Sequence, residues 1–418
     1  MGDEMKIGVI GLGKLGLPLA ALLANSGHEI LCFDSNELHF NSLRNHNFLS
    51  SEPGLMDVLN ISKNNFIYAS SIEEVTEGSL LIFVIVPTPS LPSGHFSNLN
   101  LENVLTKIGK ACKKKDSPLV VDIVSTVMPG SCDSIFTKIL EKESGKSIGQ
   151  ELGLCYNPEF IALGSVLNDM QNPDMHLIGE SEAWAGDLVE TALNSIVTKE
   201  TPTRRMALKE AELVKIAVNN FVTMKISYAN ALFEAANVMG EIDIDIVTDA
   251  IGLDKRIGHR YLKGAAPYGG PCFPRDTRAL SALYREIGVP DFLSNATEKV
   301  NEKHVEFIAK LVESNLKSDE KIGLVGISYK AGTPVIDESP GVAIAQFLLT
   351  RGYEVTTFDD EGSVVPTTHP NYHFTTSIDE LIARSDLIVV TRPINDKEAL
   401  FKKLIASNVR YLDVWRQG

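Results

Sequence analysis

Two parts of the chain alternate short apolar runs with segments of helical spacing. In the first part, strand-length apolar runs at residues 6–10 and 29–33 flank a helical pattern at 19–23. Further strand-length runs follow at residues 80–86, 119–124 and 176–179. Alternation of this kind is typical of a parallel sheet with helices on both faces. The pattern therefore predicts an α/β domain at the start of the chain.

A long helical stretch from Ala207 to Met239 interrupts this alternation and contains no proline. Its apolar stripe consists of Leu213, Ile216, Ala217, Phe221, Met224 and Leu232. A helix of about 30 residues is about 45 Å long, which is more than one domain normally covers. We therefore predict that it connects domains and takes part in forming a homodimer.

A second alternation begins at Lys321, with apolar runs at residues 322–326, 354–359, 387–390 and 411–413 and a helix at 341–350. Its first turn, residues 326–330, lacks the full dinucleotide fingerprint. The fold class predicted is α/β, with two Rossmann-like doubly wound domains joined by a central helical domain and its long connector helix. The predicted domain boundaries are 1–198, 199–300 and 301–418.

Composition narrows the class of protein. The chain has 418 residues, 44% hydrophobic and 22% charged, which fits a globular protein of two or three domains. Its net charge of −15 disfavours nonspecific binding to nucleic acid or to an anionic membrane, but it does not exclude small anionic ligands. No apolar run approaches the roughly 20 residues that span a bilayer, and the first residues do not resemble a signal peptide.

Five cysteines without a CxxC pair argue against a disulfide framework and against a zinc ribbon. They fit a reducing compartment, so we predict a cytoplasmic protein without a metal site.

A glycine-rich turn follows the first predicted strand, and an acidic residue, Asp34, follows the second. The turn consists of Gly11, Leu12, Gly13, Leu15, Gly16 and the lysine between them. In a strand–turn–helix setting its glycines permit a tight turn, admit a pyrophosphate and pack helix on strand. Asp34 would accept hydrogen bonds from a ribose diol and repel a 2′-phosphate. The pattern predicts that these residues bind NAD.

Residues 269–276 place Cys272 directly after Gly269, Gly270 and Pro271, four residues before Asp276. Glycines allow a close approach of the backbone to a ligand, so the thiol would be able to meet a substrate carbon. The alternative is a small buried cysteine in a turn.

Several motifs in order make the chain similar to the UDP-glucose/GDP-mannose dehydrogenase family of nucleotide-sugar dehydrogenases. They lie at residues 86–89, 125–130, 157–160, 212–219, 269–276, 329–330 and 338–340. The resemblance extends over nearly the whole chain. It implies an NAD-dependent four-electron oxidation of a sugar CH₂OH to a carboxylate, with UDP-glucose as the best candidate. UDP-N-acetylhexosamines and GDP-mannose remain alternatives.

The resemblance also implies catalytic roles. Cys272 would carry a thiohemiacetal and then a thioester, since cysteine is both a nucleophile and a fair leaving group. Lys215 and Asn219, four residues apart on one helix, would hold the developing alkoxide and contact the substrate. Glu159 would be the general base for hydrolysis, and Thr126 would hold the same water. Asp276 would position water or accept a proton, and the alternative for it is the N-cap of the helix that follows.

Binding roles follow from the same motifs. Thr88, Thr126 and Lys330 resemble cofactor contacts of the family. The residues implied to bind substrate are Glu159, Lys215, Asn219, Arg256, Tyr261, Gly269, Gly270, Tyr329 and Lys330. Arg256 resembles an arginine that reaches the substrate of the partner subunit, and Arg416 loosely resembles another substrate arginine.

Three departures from the family pattern affect the choice of substrate. Leu163 stands where a second glutamate is usual, and Asp337 stands where an arginine is usual before Glu-Ser-Pro. Pro271 replaces a small polar residue and removes one N–H donor. Two rival interpretations stay open: a two-electron enzyme of the β-hydroxyacid dehydrogenase class, and an NAD- or sugar-nucleotide-binding protein without turnover.

Overall fold

The structure is a computed structural model, which describes residues 4–416. The chain divides into two compact units, Met1–Ile216 and Ala217–Gly418. None of the helices within residues 4–416 combines the length and the apolar character needed to cross a bilayer.

The first unit is built around an eight-stranded sheet. Its strands are β1 (Lys6–Ile10), β2 (Glu29–Phe33), β3 (Phe66–Tyr68), β4 (Leu81–Val84), β5 (Leu119–Ile123), β6 (Leu152–Tyr156), β7 (His176–Glu180) and β8 (Thr203–Ala207). Its helices are α1 (Gly16–Asn25), α2 (Glu37–Arg44), α3 (Leu55–Ser62), α4 (Ile72–Gly78), α5 (Leu99–Cys112), α6 (Thr137–Ser144), α7 (Val166–Gln171) and α8 (Ala183–Asn194). A π-helical turn, Cys132–Phe136, precedes α6.

The strand order is β3-β2-β1-β4-β5-β6-β7-β8. The order reverses between β1 and β4, and ligands of open α/β sheets bind beyond the carboxyl ends of the strands at such a point. All pairs are parallel except β6 with β7, where Cys155 lies opposite Glu180. The expectation of a fully parallel sheet is therefore wrong at this pair, because the short helix α7 and its flanking loops return the chain to the same edge of the sheet.

Apolar side chains cover both faces of this sheet. One cluster packs α1 and α8 against it, and the other packs α4, α5 and α6 against the opposite face. Residues from the start of the next helix, α9 (Leu208–Met239), also join the second cluster. The sheet is therefore doubly wound.

The second unit begins within α9 and contains a helical part followed by a second sheet. Its helices are α10 (Ile244–Gly252), α11 (Phe273–Glu286), α12 (Phe292–Ser314), α13 (Pro340–Thr350), α14 (Ile378–Arg384) and α15 (Lys397–Ala406). Its strands are β9 (Ile322–Val325), β10 (Val355–Phe358), β11 (Tyr372–Phe374), β12 (Leu387–Val390) and β13 (Arg410–Asp413). The sheet is parallel throughout, in the order β11-β10-β9-β12-β13, with an apolar cluster on each face.

The predicted fold class is confirmed. Two Rossmann-like parallel-sheet domains occur, with the helices α9 to α12 between them in the sequence. The predicted connector helix is a single helix of 32 residues.

Candidate active site

The glycine turn after β1 has the local geometry that a bound pyrophosphate requires. Gly11 has a φ of +95°, and a Cβ there would collide with the carbonyl oxygen of Ile85. Gly16 opens α1, and a Cβ there would collide with the carbonyl oxygen of Gly11. Gly13 has no other atom within 4 Å of the place of a Cβ, so the backbone is open to a ligand there. These residues fit the pyrophosphate of NAD.

Asp34 follows β2 and is held beside the turn. One of its carboxylate oxygens accepts a hydrogen bond from the Leu12 N–H at 2.7 Å, and the other accepts from the Asn36 N–H at 2.8 Å. Leu12 itself is buried, and Leu15 lies half-buried at the start of α1. The carboxylate retains lone pairs for a ribose diol, since each oxygen can accept a second bond.

The loops that follow β4 and β5 are joined by hydroxyl groups. The Thr88 hydroxyl donates to the carbonyl oxygen of Thr126 at 2.7 Å. Ser125 accepts from the Val86 N–H at 2.9 Å and donates to the Val86 carbonyl oxygen at 2.7 Å. The structure therefore brings Thr88 and Thr126 together at the carboxyl end of the sheet, beside the glycine turn.

Glu159 and Lys215 also lie together in the first unit. Lys215 is 6% exposed and donates from its Nζ to the backbone carbonyl of Glu159 at 2.5 Å, while the same Nζ stands 4.5 Å from the centre of the Phe160 ring. Asn157 fixes the loop by donating to the Leu177 carbonyl at 2.9 Å. Burial raises the pKa of the Glu159 carboxyl to about 7, and the Lys215 ammonium opposes this rise. A carboxyl with this pKa is suited to general-base catalysis near neutral pH.

Two buried carboxyls near this loop, Asp122 and Glu212, have no catalytic or binding role predicted from the sequence. Asp122 on β5 is fully buried, neither of its oxygens has a hydrogen-bond partner within residues 4–416, and burial and the Glu159 charge raise its pKa well above the usual range. Glu212 accepts from the N–H groups of Gly130 and Cys132 and so holds the loop that follows Thr126. The only sequence signal for Glu212 was its place in the motif at residues 212–219.

In the second unit, Cys272 lies directly before the first residue of α11. Its side chain is exposed, whereas the other four cysteines of the chain, all within the described residues, are buried. The Asp276 N–H donates to the Cys272 carbonyl at 2.9 Å as the first bond of the helix. Asp276 therefore lies in the first turn of α11, and the alternative of Asp276 as the N-cap is wrong. The interpretation of Cys272 as a small buried cysteine is wrong too.

Asn219 and Asp276 form a buried pair. Asn219 is 9% exposed and donates from its Nδ2 to the Asp276 Oδ2 at 2.6 Å. A second contact between α9 and α11 joins the hydroxyls of Thr223 and Thr277 at 3.0 Å. These contacts fix the start of α11, and with it the backbone of Cys272, against α9. The threonine pair had no motif that would have predicted it.

The two glycines before Cys272 are explained by neighbouring protein atoms. Gly270 has a φ of +85°, and a Cβ there would lie 2.5 Å from the Tyr329 ring. A Cβ on Gly269 would collide with the carbonyl oxygen of Glu338. In addition, the Gly270 N–H donates to the Asp337 carbonyl at 3.0 Å. The glycines were predicted to let the backbone approach a ligand. In the structure this backbone instead lies against the loop that follows β9, which carries Tyr329 and Lys330.

The contacts of this loop also bear on Asp337, one of the three departures from the family pattern. Asp337 is exposed and contributes its backbone carbonyl, while the next residue, Glu338, accepts from Arg278 of α11 at 2.8 Å. An ion pair between the loop and α11 therefore exists without the usual arginine at position 337. Leu163 packs against an apolar cluster of the first unit, and Pro271 is half-buried.

The remaining predicted substrate residues lie apart from these pairs. Arg256 is exposed and binds Asp254 through its guanidinium at 2.6 Å. Tyr261 is about half exposed, and its ring meets the Phe273 ring edge-on at 6.3 Å. Arg416 forms an ion pair with Asp245 at 2.8 Å. Substrate contacts of these three residues stay predictions.

Three models of one protein family match the chain in order. They are the NAD binding domain, the central domain and the UDP binding domain of the UDP-glucose/GDP-mannose dehydrogenase family, at residues 5–197, 209–303 and 323–415. The first match contains the glycine turn, and the second contains Cys272. NAD is therefore the cofactor, as predicted.

Curated relatives and a solved structure agree with these matches. A UDP-glucose 6-dehydrogenase of Haloferax volcanii is 29% identical over 95% of this chain and 93% of the relative. A GDP-mannose 6-dehydrogenase of Pseudomonas syringae pv. syringae is 30% identical over 85% and 81%. The structure of a UDP-glucose dehydrogenase from Pyrobaculum islandicum has a TM-score of 0.88 at 28% identity, covering 99% of this chain and 94% of that one. The chain therefore belongs to the UDP-glucose/GDP-mannose dehydrogenase family of NAD-dependent nucleotide-sugar dehydrogenases.

Proposed function

We propose that this protein oxidises the C6 hydroxymethyl group of a UDP-hexose to a carboxylate, with UDP-glucose as the substrate and UDP-glucuronate as the product. The observation that carries the proposal is Cys272, an exposed thiol held at the start of α11 by the buried pair of Asn219 and Asp276. A two-electron alcohol oxidation needs no thiol, whereas oxidation to the acid profits from a covalent thioester.

The oxidation proceeds in two stages on the residues of this chain. Lys215 and Asn219 hold the C6 oxygen as its proton passes to the water that Asp276 positions, and bound NAD supplies the hydride acceptor for each stage. The Cys272 sulphur then adds to the aldehyde carbon to give a thiohemiacetal. Loss of the second hydride converts this adduct to a thioester.

Hydrolysis releases the product and regenerates the thiol. Glu159 takes a proton from water as the water attacks the thioester carbon, and the C–S bond breaks to free Cys272. Thr126 and Asp276 position this water. The net reaction consumes one sugar alcohol, two NAD⁺ and one water, and it yields one carboxylate, two NADH and three protons.

The choice of UDP-glucose is supported by the structural similarity to the Pyrobaculum islandicum enzyme named for UDP-glucose, which has a TM-score of 0.88 and covers 99% of this chain. GDP-mannose is the second candidate, because the Pseudomonas syringae enzyme named for it is 30% identical, against 29% for the Haloferax volcanii enzyme.

In this proposal each of the three predicted domains has a separate role. Residues 1–198 bind NAD through Gly11, Gly13, Gly16, Asp34 and Thr88. Residues 199–300 carry Cys272 and form the homodimer, in which Arg256 contributes to the site of the partner subunit. Residues 301–418 bind the nucleotide, with Tyr329 and Lys330 in the loop that follows β9.

The proposal is tested by trapping the covalent intermediate. Protein incubated with NAD and UDP-glucose is quenched in acid, and peptide mass spectrometry locates any hexuronyl adduct. We expect the adduct on Cys272, none in Cys272→Ala, and an unchanged yield in Cys112→Ala, where a buried cysteine is removed. GDP-mannose in a parallel incubation identifies the other nucleotide. NAD binding without any adduct or NADH, from either sugar nucleotide, would contradict the proposal.

A further inference from the structure

His304 of α12 is a buried histidine that the proposed reaction does not use. Its side chain is 0% exposed. Its Nδ1 lies 2.7 Å from the Glu234 Oε1 on α9, and its Nε2 lies 2.6 Å from the backbone carbonyl oxygen of Ala265. The ring stacks on Phe307 at 5.2 Å between centroids. Both ring nitrogens therefore face oxygen atoms.

The Ala265 carbonyl oxygen can only accept a hydrogen bond, so its contact with Nε2 is a hydrogen bond only when Nε2 carries a proton. A proton on Nδ1 alone would leave the buried carbonyl facing a bare nitrogen, and a buried carbonyl without a donor is costly. The short contact therefore places a proton on Nε2, which donates to the Ala265 carbonyl.

Ala265 belongs to residues 264–268, the stretch of chain that leads to Cys272. Side chains of α9 and α12 form hydrogen bonds with the backbone of residues 264–268. Asn230 of α9 accepts from the Ala265 N–H at 2.9 Å, and Asn301 of α12 accepts from the Tyr268 N–H at 2.8 Å and donates to the Tyr268 carbonyl at 3.0 Å. His304 supplies the hydrogen bond that the Ala265 carbonyl needs. The stretch is thus an irregular segment whose buried polar groups are satisfied from outside.

The segment also contacts the helix that begins after Cys272. The Tyr268 ring meets the Phe273 ring edge-on at 6.5 Å, and Tyr268 lies four residues before the cysteine. A displacement of the backbone at Ala265 is therefore transmitted to the start of α11 by the Tyr268–Phe273 contact and by the connecting residues 269–272.

We propose that His304, through its hydrogen bond to the Ala265 carbonyl, is a positioning residue that fixes residues 264–268 and thereby the place of the Cys272 sulphur. The inference rests on the proposed function only for the catalytic consequence. The effect on the segment itself is independent of turnover.

The test compares His304→Phe, His304→Leu and Glu234→Gln in the full chain. His304→Phe keeps a ring to stack on Phe307, but neither it nor His304→Leu has a donor for the Ala265 carbonyl. Glu234→Gln keeps this hydrogen bond, because the new amide donates to Nδ1 of a neutral imidazole whose Nε2–H still reaches Ala265. His373→Phe is the control, since His373 pairs with Glu380 at 3.2 Å in a more exposed position of the same unit.

Three quantities are measured: amide hydrogen exchange of the peptide containing residues 264–272, the rate of Cys272 alkylation by iodoacetamide, and the steady-state constants. In His304→Phe we expect exchange to accelerate roughly tenfold, as loss of one buried hydrogen bond implies. We expect the alkylation rate to change, kcat to fall about tenfold or more and the KM for NAD to stay constant. Glu234→Gln and His373→Phe should resemble the unaltered protein.

Unchanged exchange and alkylation in a folded His304→Phe would overturn the inference, and so would a fall in kcat with unchanged exchange. If His304→Phe does not fold, the comparison of His304→Leu with Glu234→Gln decides, and equal exchange in the two would overturn the inference. Exchange and alkylation need no substrate, so failure of the proposed oxidation leaves this test intact.

Discussion

At the scale of single residues, Glu159 combines a half-buried carboxyl with a neighbouring ammonium. Burial raises its pKa to about 7 despite Lys215, so the carboxyl is a stronger base than an exposed glutamate. If hydrolysis limits turnover, kcat should rise with pH up to about 7 and level off above it. Glu159→Gln should lower kcat by about 10² to 10⁴-fold and accumulate the thioester on Cys272. Pre-steady-state mass spectrometry and a pH profile of kcat measure both effects, and a thioester that decays at the normal rate would contradict the role of Glu159.

The raised pKa of Glu159 also makes the free energy of unfolding depend on pH. The folded state holds the Glu159 proton more tightly than the unfolded state, in which the pKa is near 4.5. Between about pH 4.5 and 7 the folded state therefore binds more protons, and this group lowers the free energy of unfolding as pH rises through that window. Glu159→Gln should remove this loss, so urea unfolding should show a gain in stability at pH 8 that is absent at pH 4. Equal differences at the two pH values would contradict the assigned shift.

Sequence motifs singled out Cys272, Glu159 and Lys215 through the family resemblance, and their catalytic roles stay predictions. Motifs were not sufficient for Asp122, Glu212 and His304. A carboxylate or an imidazole is ordinarily on the surface, and only the folded arrangement shows that these three are buried and what they face.

At the scale of elements, the first turns of the two sheets are built alike and differ at one contact. Gly11 and Gly326 both have a φ of +95°, and each donates to a carbonyl at the end of the adjacent strand, Phe33 at 2.9 Å and Phe358 at 3.0 Å. Asp34 and Asp359 occupy matching places. Arg392, however, is buried against Asp359 at 3.3 Å, and the N–H groups of Ile327 and Ser328 also donate to the same carboxylate oxygen.

The contact between Arg392 and Asp359 agrees with the absence of the dinucleotide fingerprint from the first turn of the second sheet. The Asp359 carboxylate is buried and engaged by protein donors, whereas Asp34 is more exposed and retains acceptor capacity. The sequence shows that the later glycines of the fingerprint are absent, but only the structure shows that Arg392 binds the Asp359 carboxylate. The sequence-based prediction also missed β3, β6, β8 and β11. Strands β3 and β11 have three residues each and β8 contains two arginines, whereas β6 is an apolar run of five residues that was left unassigned.

Gly270 tests the packing beside Cys272. Gly270→Ala should cost about 1 to 2 kcal/mol for the positive φ, and about 1 to 3 kcal/mol more for the overlap with the Tyr329 ring. Gly288→Ala is the matched control, since Gly288 has a φ of +74° but no atom within 4 Å of the place of a Cβ. Urea unfolding should therefore show the larger loss for Gly270→Ala, together with a loss of kcat. An equal loss in the two variants would refute the close approach to Tyr329.

At the scale of the whole molecule, α9 presents apolar side chains that one chain does not cover. Phe221 is 59% exposed and Tyr228, seven residues later, is 54% exposed. Large apolar side chains in such a repeat are typical of a helix that packs on another chain. We expect light scattering to give a dimer for the unaltered protein and a monomer for the double variant Phe221→Glu, Tyr228→Glu. Leu99→Glu changes an equally exposed residue on α5 and should stay dimeric, and a double variant that stays dimeric would place the interface elsewhere.

The central claim concerns the number of electrons removed from one sugar. The most direct measurement is the amount of NADH formed per UDP-glucose consumed when the reaction has gone to completion with excess NAD. We expect two NADH and one UDP-glucuronate per UDP-glucose, with no free aldehyde. One NADH per sugar with accumulated aldehyde would contradict the thioester route through Cys272 and would favour a two-electron dehydrogenase.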